Sequence, residues 1–261
     1  MTDPDSHEVF AVKYAEREAR RPEHFLGGDP HDVPMSMDYF VWAIVGRNGT
    51  IVVDTGFNTL DAELRRRRLL RTAAEGLALV GVDAATAPTV VLTHLHYDHV
   101  GGFDQFPNAR FHLQDREMNF ATGRNMLESE YSHAFTARHV ADVVMAVHAK
   151  RVEFHEGDAE LAPGISVHHI GGHTDGLQAV RVNTATGPLV LASDASHYYE
   201  NMEATRPFPI VFDVPAMIAG YDRLRSLAGP GGVIVPGHDP MVFERHPAAD
   251  PSLSGVAVRL G

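Results

Sequence analysis

The sequence predicts an α/β fold. Short apolar runs rich in β-branched residues alternate with longer segments whose apolar residues recur at the spacing of a helix. Four of the apolar runs lead within three residues to a histidine or an aspartate, and no linker, low-complexity segment or charge block divides the chain. Because α/β folds place their chemistry where strands end, we expect a single domain over residues 1–261, with a helical insertion around residues 114–150.

Composition limits the possible partners and cofactors. The chain of 261 residues can bury one substantial core, and its 44% hydrophobic and 21% charged residues are typical of a globular protein. Its formal net charge of −12 disfavours nucleic acid as a partner, because phosphate backbones would be repelled. The absence of cysteine excludes disulfides, iron–sulfur clusters and thiol nucleophiles. Any metal ion must therefore be held by histidine and carboxylate side chains.

The first third of the chain predicts strands followed by a helix. We place strands at residues 9–12, 39–45 and 50–53, with Asn48-Gly49 as the hairpin turn between the last two. The spacing of leucines predicts a helix over residues 60–80. Residues 65–68 are all arginine, and one turn of helix would spread them over every face. We therefore interpret these arginines as a solvated surface.

The remaining elements continue the alternation. Strands are predicted at residues 89–92, 110–113, 164–170, 178–182, 188–194 and 232–235, and helices from residue 114 and over residues 129–150. In each half of the chain one strand ends in an aspartate and a later one in a histidine, at Asp54 and His94 and again at Asp194 and His238. This repeated order suggests an internal duplication.

The segment 93–102 carries the densest set of metal-ligating side chains, and it directly follows a predicted strand. His94 and His96 are two residues apart, so in extended backbone both side chains leave the same face and can converge on one ion. Asp98 and His99 then point elsewhere. The spacing therefore predicts two neighbouring cations rather than one.

Later strand ends supply further candidate ligands, at His173, Asp194 and His238. His168 and His169 compete with His173, but they lie within a strand on opposite faces, whereas His173 follows two glycines that permit close backbone approach. Asp54 has two interpretations that remain open. It orients ligand side chains, or it caps an ordinary turn.

The segment 94–99 has the pattern H-x-H-x-D-H, the signature of the metallo-β-lactamase superfamily, and the chain closely resembles the N-acyl-homoserine lactonase branch over roughly residues 38–246. The resemblance implies a four-layer αββα sandwich of two mixed β-sheets flanked by helices. It also implies a ligand set of His94, His96 and His173 for one ion and Asp98, His99 and His238 for the other, with Asp194 as a bridging carboxylate. Zn²⁺ is the first choice for these donors, and Co²⁺, Mn²⁺ and Fe²⁺ remain open.

A dinuclear centre of this kind implies hydrolysis of an ester-like bond. Two cations about 3.5–4 Å apart that share a water lower its pKa toward roughly 7, so that a bridging hydroxide can attack a carbonyl carbon. Asp98 or Asp194 would carry the proton to the leaving alkoxide. We therefore expect a metal-dependent hydrolase, and the resemblance implies that its substrate is a lactone.

The resemblance to the lactonase branch includes Asp194-Ala195-Ser196. In that branch a tyrosine three residues after the bridging aspartate hydrogen-bonds the substrate carbonyl, and here that position is His197, followed by Tyr198 and Tyr199. We keep His197 and Tyr198 as alternative catalytic residues, and the identity of the oxyanion donor stays open. A pocket wall that would favour an apolar or aromatic portion in the substrate is expected from Met35, Met37, Tyr39, Met202 and the loop 207–212.

Other activities of the superfamily remain alternatives. A thioesterase of the glyoxalase II kind would need a helical C-terminal extension, and few residues follow His238. β-Lactamases of this superfamily are usually exported, and phosphodiesterases conflict with the acidic composition. A persulfide dioxygenase would bind a single iron, whereas the full second set of ligands favours two ions.

The start of the chain has no basic segment followed by an apolar one, and no apolar run approaches the roughly 18 residues that a membrane helix needs. We therefore expect a cytoplasmic enzyme that acts on a small-molecule lactone or related ester, with no nucleic-acid or membrane partner. A homodimer is one assembly that we consider, and the sequence leaves the oligomeric state open.

Overall fold

The protein, described by a computed structural model over residues 5–47 and 49–261, is built on two mixed β-sheets that pack face to face. Helices cover the outer sides of the sheets. One group of buried apolar residues fills the space between the larger sheet and its helices, and a second spans the interface between the sheets and the helix at residues 214–228. The predicted four-layer αββα sandwich is thereby confirmed.

The elements follow one another in this order. The strands are β1 (Glu8–Arg17), β2 (Met37–Gly46), β3 (Gly49–Val53), β4 (Arg68–Leu69), β5 (Thr89–Val91), β6 (Arg110–Gln114), β7 (Val152–His155), β8 (Ala159–Ala162), β9 (Ile165–His169), β10 (Gln178–Thr184), β11 (Gly187–Ser193), β12 (Val233–Pro236) and β13 (Ala257–Arg259). The helices are α1 (Thr59–Arg65), α2 (Ala73–Leu79), α3 (Tyr97–Val100), α4 (Asp115–Thr122), α5 (Ser129–Ser132), α6 (Ala137–His148), α7 (Tyr199–Glu203), α8 (Val214–Ala228) and α9 (Met241–Arg245).

Both sheets contain parallel and antiparallel pairs. The larger sheet has the order β13-β1-β2-β3-β5-β6-β7, with β4 paired to β1, and the smaller sheet has the order β12-β11-β10-β9-β8. The strand β2 reads as a continuous apolar run because helices cover one of its faces and the smaller sheet covers the other.

The two sheets repeat one local arrangement. In the larger sheet β3 pairs in parallel with β5, so the strand before Asp54 lies beside the strand before His94. In the smaller sheet β11 pairs in parallel with β12, which places Asp194 and His238 at neighbouring strand ends. Because parallel strands end at the same edge of a sheet, each half of the chain places one aspartate beside one histidine at that edge. This geometry is the one expected from the proposed duplication.

The predicted helix over residues 60–80 is wrong. The chain leaves α1 at Arg66, which adopts the left-handed conformation with φ of 55° and whose backbone N–H caps the helix end. The next residues form β4 and pair with β1, with Leu69 opposite Ala15. A capping box formed by Thr72 and Glu75 then begins α2. The leucine spacing therefore spans two short helices rather than one long one.

The predicted helix over residues 129–150 also divides, into α5 and α6. Thr136, between them, has extended backbone with φ of −112° and ψ of 112°. The break allows the buried Phe135 to pack its ring edge-on against His96, with ring centroids 4.5 Å apart. The helical segment thus forms part of the wall around the histidines.

The other strand predictions are confirmed within a few residues. Asn48 of the predicted hairpin turn lies outside the described residues, but β2 and β3 pair antiparallel with Gly46 opposite Gly49, as a hairpin requires. Among the described residues, no helix is both long and apolar enough to cross a membrane.

Candidate metal centre

The side chains predicted as metal ligands meet at one end of the sandwich. They are His94, His96, Asp98, His99, His173, Asp194 and His238, each at most 8% exposed. The turn after β5 and the short helix α3 supply the first four, and the loops that follow β9, β11 and β12 supply the rest. The chain turns from extended backbone at His96 into α3, which directs Asp98 and His99 away from the first histidine pair.

A first group of donors consists of His94, His96 and His173. The Nε2 atom of His173 lies 3.2 Å from Nε2 of His94 and 2.9 Å from Nδ1 of His96. Burial, reinforced by neighbouring imidazoles, lowers the pKa of His94 and of His96 well below the usual value. The rings of this group are therefore neutral and offer lone pairs to a cation.

A second group consists of Asp98, His99 and His238, and Asp194 lies between the two groups. The Oδ2 atom of Asp194 is 3.3 Å from Nε2 of His173, whereas its Oδ1 atom is 3.4 Å from Nε2 of His99 and 3.1 Å from Nε2 of His238. The Asp98 carboxylate is 3.8 Å from both His99 and His238. One carboxylate thus presents an oxygen to each group, as a bridging ligand would.

Backbone oxygens fix the orientation of the ligand rings. Nδ1 of His173 donates to the Ile210 carbonyl at 2.6 Å, and Nδ1 of His238 donates to the Asp38 carbonyl at 2.8 Å. Burial lowers the pKa of His173, and a neutral imidazole carries one N–H, so Nε2 of His173 is then free of a proton. This arrangement is the one in which metal-ligating histidines are usually held.

These donors fit a divalent ion. The Thr93 hydroxyl donates to Asp54, so the 3.2 Å contact from His94 Nδ1 is a donation to Thr93, which leaves Nε2 of His94 unprotonated. Its lone pair faces that of His173 across 3.2 Å, a contact that is repulsive unless a cation lies between them. Tetrahedral zinc with Zn–N of about 2.0–2.1 Å holds its ligand atoms about 3.3 Å apart. The buried atoms His99 Nε2 and Asp194 Oδ1 likewise make no hydrogen bond.

Asp54 supports this centre from beneath. It adopts the left-handed conformation with φ of 62°, and it is fully buried. Its carboxylate accepts hydrogen bonds from Nδ1 of His99 at 2.7 Å, from the backbone N–H of Thr93 at 2.7 Å and from the Thr93 hydroxyl at 2.8 Å. Of the two interpretations left open, the orienting role is the one that these contacts favour.

Glu117 is a part of the centre that sequence reasoning missed. Its carboxylate accepts hydrogen bonds from the backbone N–H of Leu95 at 2.9 Å, the hydroxyl of Thr174 at 2.6 Å and the backbone N–H of Gly176 at 3.1 Å. Burial raises its pKa to about 7 in spite of these bonds. It thereby joins the loop that carries His94 and His96 to the loop that carries His173, and no local pattern marks it.

The two alternative catalytic residues lie in different places. His197 lines the cavity beside the centre, stacks on Phe208 with ring centroids 3.5 Å apart and donates from Nε2 to Asp194 Oδ2 at 2.9 Å. Burial lowers the pKa of His197 to about 3, so its ring is neutral. Tyr198 does not line this cavity, and its hydroxyl donates instead to the Ser36 carbonyl at 3.0 Å.

The cavity has an apolar wall and a charged wall. Met37, Tyr39 and the segment 208–210 line it as predicted, but Met35 and Met202 do not. The solvated-surface interpretation of the four arginines is wrong for Arg65 and Arg67, which are partly buried and line the cavity. The error follows from the helix prediction, because these residues lie where α1 ends and turns into β4.

The competing histidines lie outside the centre. His168 contacts Ser166 and Asp158, and His169 contacts the Asp175 carbonyl. The conformation of the loop that follows β9 depends on glycine: Gly172 has φ of 87°, and a Cβ there would lie 2.5 Å from the backbone of Met217. The two glycines before His173 were the sequence signal that distinguished it.

Comparison with known proteins gives one family. A model described as the metallo-beta-lactamase superfamily matches residues 37–238. An N-acyl homoserine lactonase from a Bacillus species is 27% identical over 231 residues, which cover 80% of this chain and 82% of that protein. A Bacillus cereus protein of the same name is 26% identical over 227 residues, covering 81% of this chain and 82% of that protein.

Solved structures share the fold. A quorum-quenching N-acyl homoserine lactone lactonase superposes with a TM-score of 0.76 at 22% identity, covering 92% of this chain and 95% of that chain. AidC, described as a dizinc quorum-quenching lactonase in complex with a product, superposes with a TM-score of 0.69 at 17% identity, covering 89% of this chain and 87% of that chain.

Proposed function

The chain belongs to the metallo-beta-lactamase superfamily, and we propose that it is a metal-dependent hydrolase that opens lactone rings. The observation that carries the proposal is a pair of buried ring nitrogens, Nε2 of His94 and Nε2 of His173, that face each other across 3.2 Å while their Nδ1 atoms bond elsewhere. The relatives named N-acyl homoserine lactonase support a lactone as the substrate. The apolar wall of the cavity supports a substrate with an apolar or aromatic portion.

We assign the ligands as the sequence predicts. The set consists of His94, His96 and His173 for one ion and Asp98, His99 and His238 for the other, with Asp194 between them. Zinc is the first choice because the donors are nitrogen and oxygen, and Co²⁺, Mn²⁺ and Fe²⁺ are the alternatives. When bound, the two ions would supply a water acidic enough to act as a nucleophile near neutral pH and would polarise the substrate carbonyl.

The protein side chains have separate tasks in this proposal. Asp98 lines the cavity, and its carboxylate would accept the proton released by the attacking water and pass it to the leaving alkoxide. His197 donates from Nε2 to Asp194, so it positions that carboxylate rather than touching the substrate. Tyr198 has no part in the reaction, because its hydroxyl is committed to the Ser36 carbonyl.

The test is a comparison of substrate classes. Proton release by the zinc-loaded protein is measured against matched lactones, thioesters, β-lactams and phosphodiesters. We expect lactones to give the highest kcat/KM, with activity lost on chelation and restored by zinc. A preference for thioesters would instead support an enzyme of the glyoxalase II kind.

Metal analysis checks the centre independently of activity. We expect two zinc ions per chain, and one iron per chain would instead support a dioxygenase. His173→Asn should lose metal and most of the activity, whereas His168→Asn, a matched change outside the centre, should keep both ions. A His173→Asn protein that retained both ions and the full rate would refute the assignment.

A further inference from the structure

Three arginines line the charged wall of the cavity, and they differ in their ion-pair and hydrogen-bond partners. Arg17 forms an ion pair with Glu23, and both line the cavity. Arg65 and Arg67 form no ion pair with a carboxylate among residues 5–47 and 49–261, and they donate instead to carbonyl and hydroxyl oxygens. Neither of these two guanidinium groups beside the centre is therefore paired with a carboxylate of the described residues.

Arg65 is held by its surroundings. It donates to the His133 carbonyl at 2.8 Å, and its guanidinium lies over the ring of Tyr97 at 3.9 Å from the centroid. These contacts fix the segment before α6 against α1. Arg65 therefore contributes charge to the cavity wall, but its donors are largely occupied.

Arg67 keeps donors available. Its Nε atom donates to the Tyr97 hydroxyl at 3.0 Å and its Nη1 atom to the Arg65 carbonyl at 2.7 Å. Within the described part of the chain, no acceptor takes a hydrogen bond from Nη2. A guanidinium has five N–H donors, so Arg67 can present a pair of them to a ligand in the cavity.

The phenols beside Arg67 do not neutralise it. The Tyr97 hydroxyl lies 3.5 Å from that of Tyr39, and the Tyr39 ring packs against His238 with centroids 5.0 Å apart. A phenol is uncharged near neutral pH, so neither tyrosine can balance the charge of the guanidinium. The acid beside them, Asp98, faces His99 and His238, and the proposed function commits it to the centre.

We propose that Arg67, with Arg65 beside it, binds an anionic group of the substrate, so that the preferred lactone carries a carboxylate. The proposal rests on the proposed lactone hydrolysis. A guanidinium binds a carboxylate through two parallel hydrogen bonds, which gives orientation as well as affinity. Because the chain as a whole has a net charge of −12, a positive cavity would be a local attraction for an anion rather than a property of the entire surface.

The two walls together specify the shape of the substrate. The apolar side of the cavity, around Met37 and Phe208, would contact the body of the molecule, while the carboxylate would lie against Arg67. Charge-assisted hydrogen bonds are stronger than neutral ones, so an amide in place of the carboxylate should be a poorer substrate by roughly tenfold or more.

The experiment compares γ-butyrolactones that carry, on zero to three methylenes, either a carboxylate or the isosteric primary amide. We expect the zinc-loaded protein to prefer at least one carboxylate over its amide by roughly tenfold or more in kcat/KM, mainly through KM. Arg67→Gln should remove this preference and Arg67→Lys should restore part of it. Arg66→Gln, the same change at the neighbouring exposed arginine, should leave the preference intact.

The outcomes separate this proposal from the proposed function. If carboxylates and amides are hydrolysed equally, or if the preference survives Arg67→Gln, the proposed anion-binding role of Arg67 is wrong, while the proposal of lactone hydrolysis stands. If no lactone is hydrolysed, the proposed function fails, and calorimetry still decides the site with the γ-lactams pyroglutamate and pyroglutamamide. Binding of pyroglutamate that is at least tenfold tighter and that depends on Arg67 supports the proposal, and equal binding overturns it.

Discussion

Glu117 joins two loops that are distant in the sequence. It accepts hydrogen bonds from Leu95 in one loop and from Thr174 and Gly176 in the other, and it is fully buried. A carboxylate can accept from all three donors because both of its oxygens are acceptors. The spacing between the first histidine pair and His173 therefore depends on this one side chain.

Glu117→Gln tests that dependence. The amide nitrogen of glutamine cannot accept, so at least one of the buried donors at Leu95 or Gly176 would lose its partner. We expect a loss of about 1–3 kcal/mol in the free energy of unfolding and a weaker affinity for zinc. Denaturant unfolding and zinc titration measure the two effects.

The control for this change is Asp175→Asn. Asp175 is the neighbouring acid, and it forms a surface ion pair with Arg116. Loss of this ion pair should lower the free energy of unfolding by no more than about 1 kcal/mol and leave the affinity for zinc unchanged. If Glu117→Gln behaved like this control, Glu117 would have no part in holding the loops together.

At this scale the sequence predicted the candidate ligands and, with Asp54, one of the residues that support them, but it missed Glu117 and Arg67. His94 to His99 stand together in one motif, and His173 and His238 directly follow glycines, so their types and spacing were informative. Glu117 and Arg67 have no such local mark, because their partners come from other parts of the chain. Their roles depend on tertiary contacts that periodicity does not encode. The ligand roles stay predictions until metal is measured.

At the scale of elements, α1 holds the helical segment that borders the cavity. Asp61 in α1 accepts hydrogen bonds from the Thr136 hydroxyl at 3.0 Å and from Nε2 of His139 in α6 at 2.6 Å. Both partners follow Phe135, whose ring packs against His96. The position of this wall therefore depends on a buried polar contact between two helices.

Asp61→Ala should loosen the wall. Breaking one side of a buried polar pair leaves the other unsatisfied, and we expect a loss of about 3 kcal/mol in the free energy of unfolding. Hydrogen exchange should increase over residues 128–140 before the rest of the chain. Arg138→Ala removes only the exposed i,i+4 pair with Asp142, so it should change neither quantity measurably. Equal exchange in the two variants would contradict the role of Asp61.

The elements that were predicted correctly are those with strong local patterns. The strands before Asp54 and His94 are β-branched and apolar, and they are confirmed. The prediction of one helix over residues 60–80 was wrong because β4 pairs with β1, more than fifty residues earlier. Such a long-range pairing leaves no periodic pattern in the local sequence. That residues 114–150 are an insertion into the domain stays a prediction.

At the scale of the molecule, the centre connects the two sheets. His94, His96 and His99 extend from the larger sheet, whereas Asp194 and His238 extend from the smaller one. Metal ions bound by side chains from both sheets would therefore cross-link the sheets. Without cations the sheets lack that link.

We therefore expect zinc to stabilise the whole fold. With free zinc about a thousandfold above its dissociation constant, each occupied site should add about 4 kcal/mol to the free energy of unfolding. One site alone should then raise the Tm by about 10 °C relative to the chelated protein. Scanning calorimetry with zinc or with chelator measures the shift. His168→Asn should show the full shift, whereas Asp194→Asn should show little of it, because this variant lacks the carboxylate between the two donor groups. A parent protein whose Tm did not respond to chelator would show that the sheets are joined without metal.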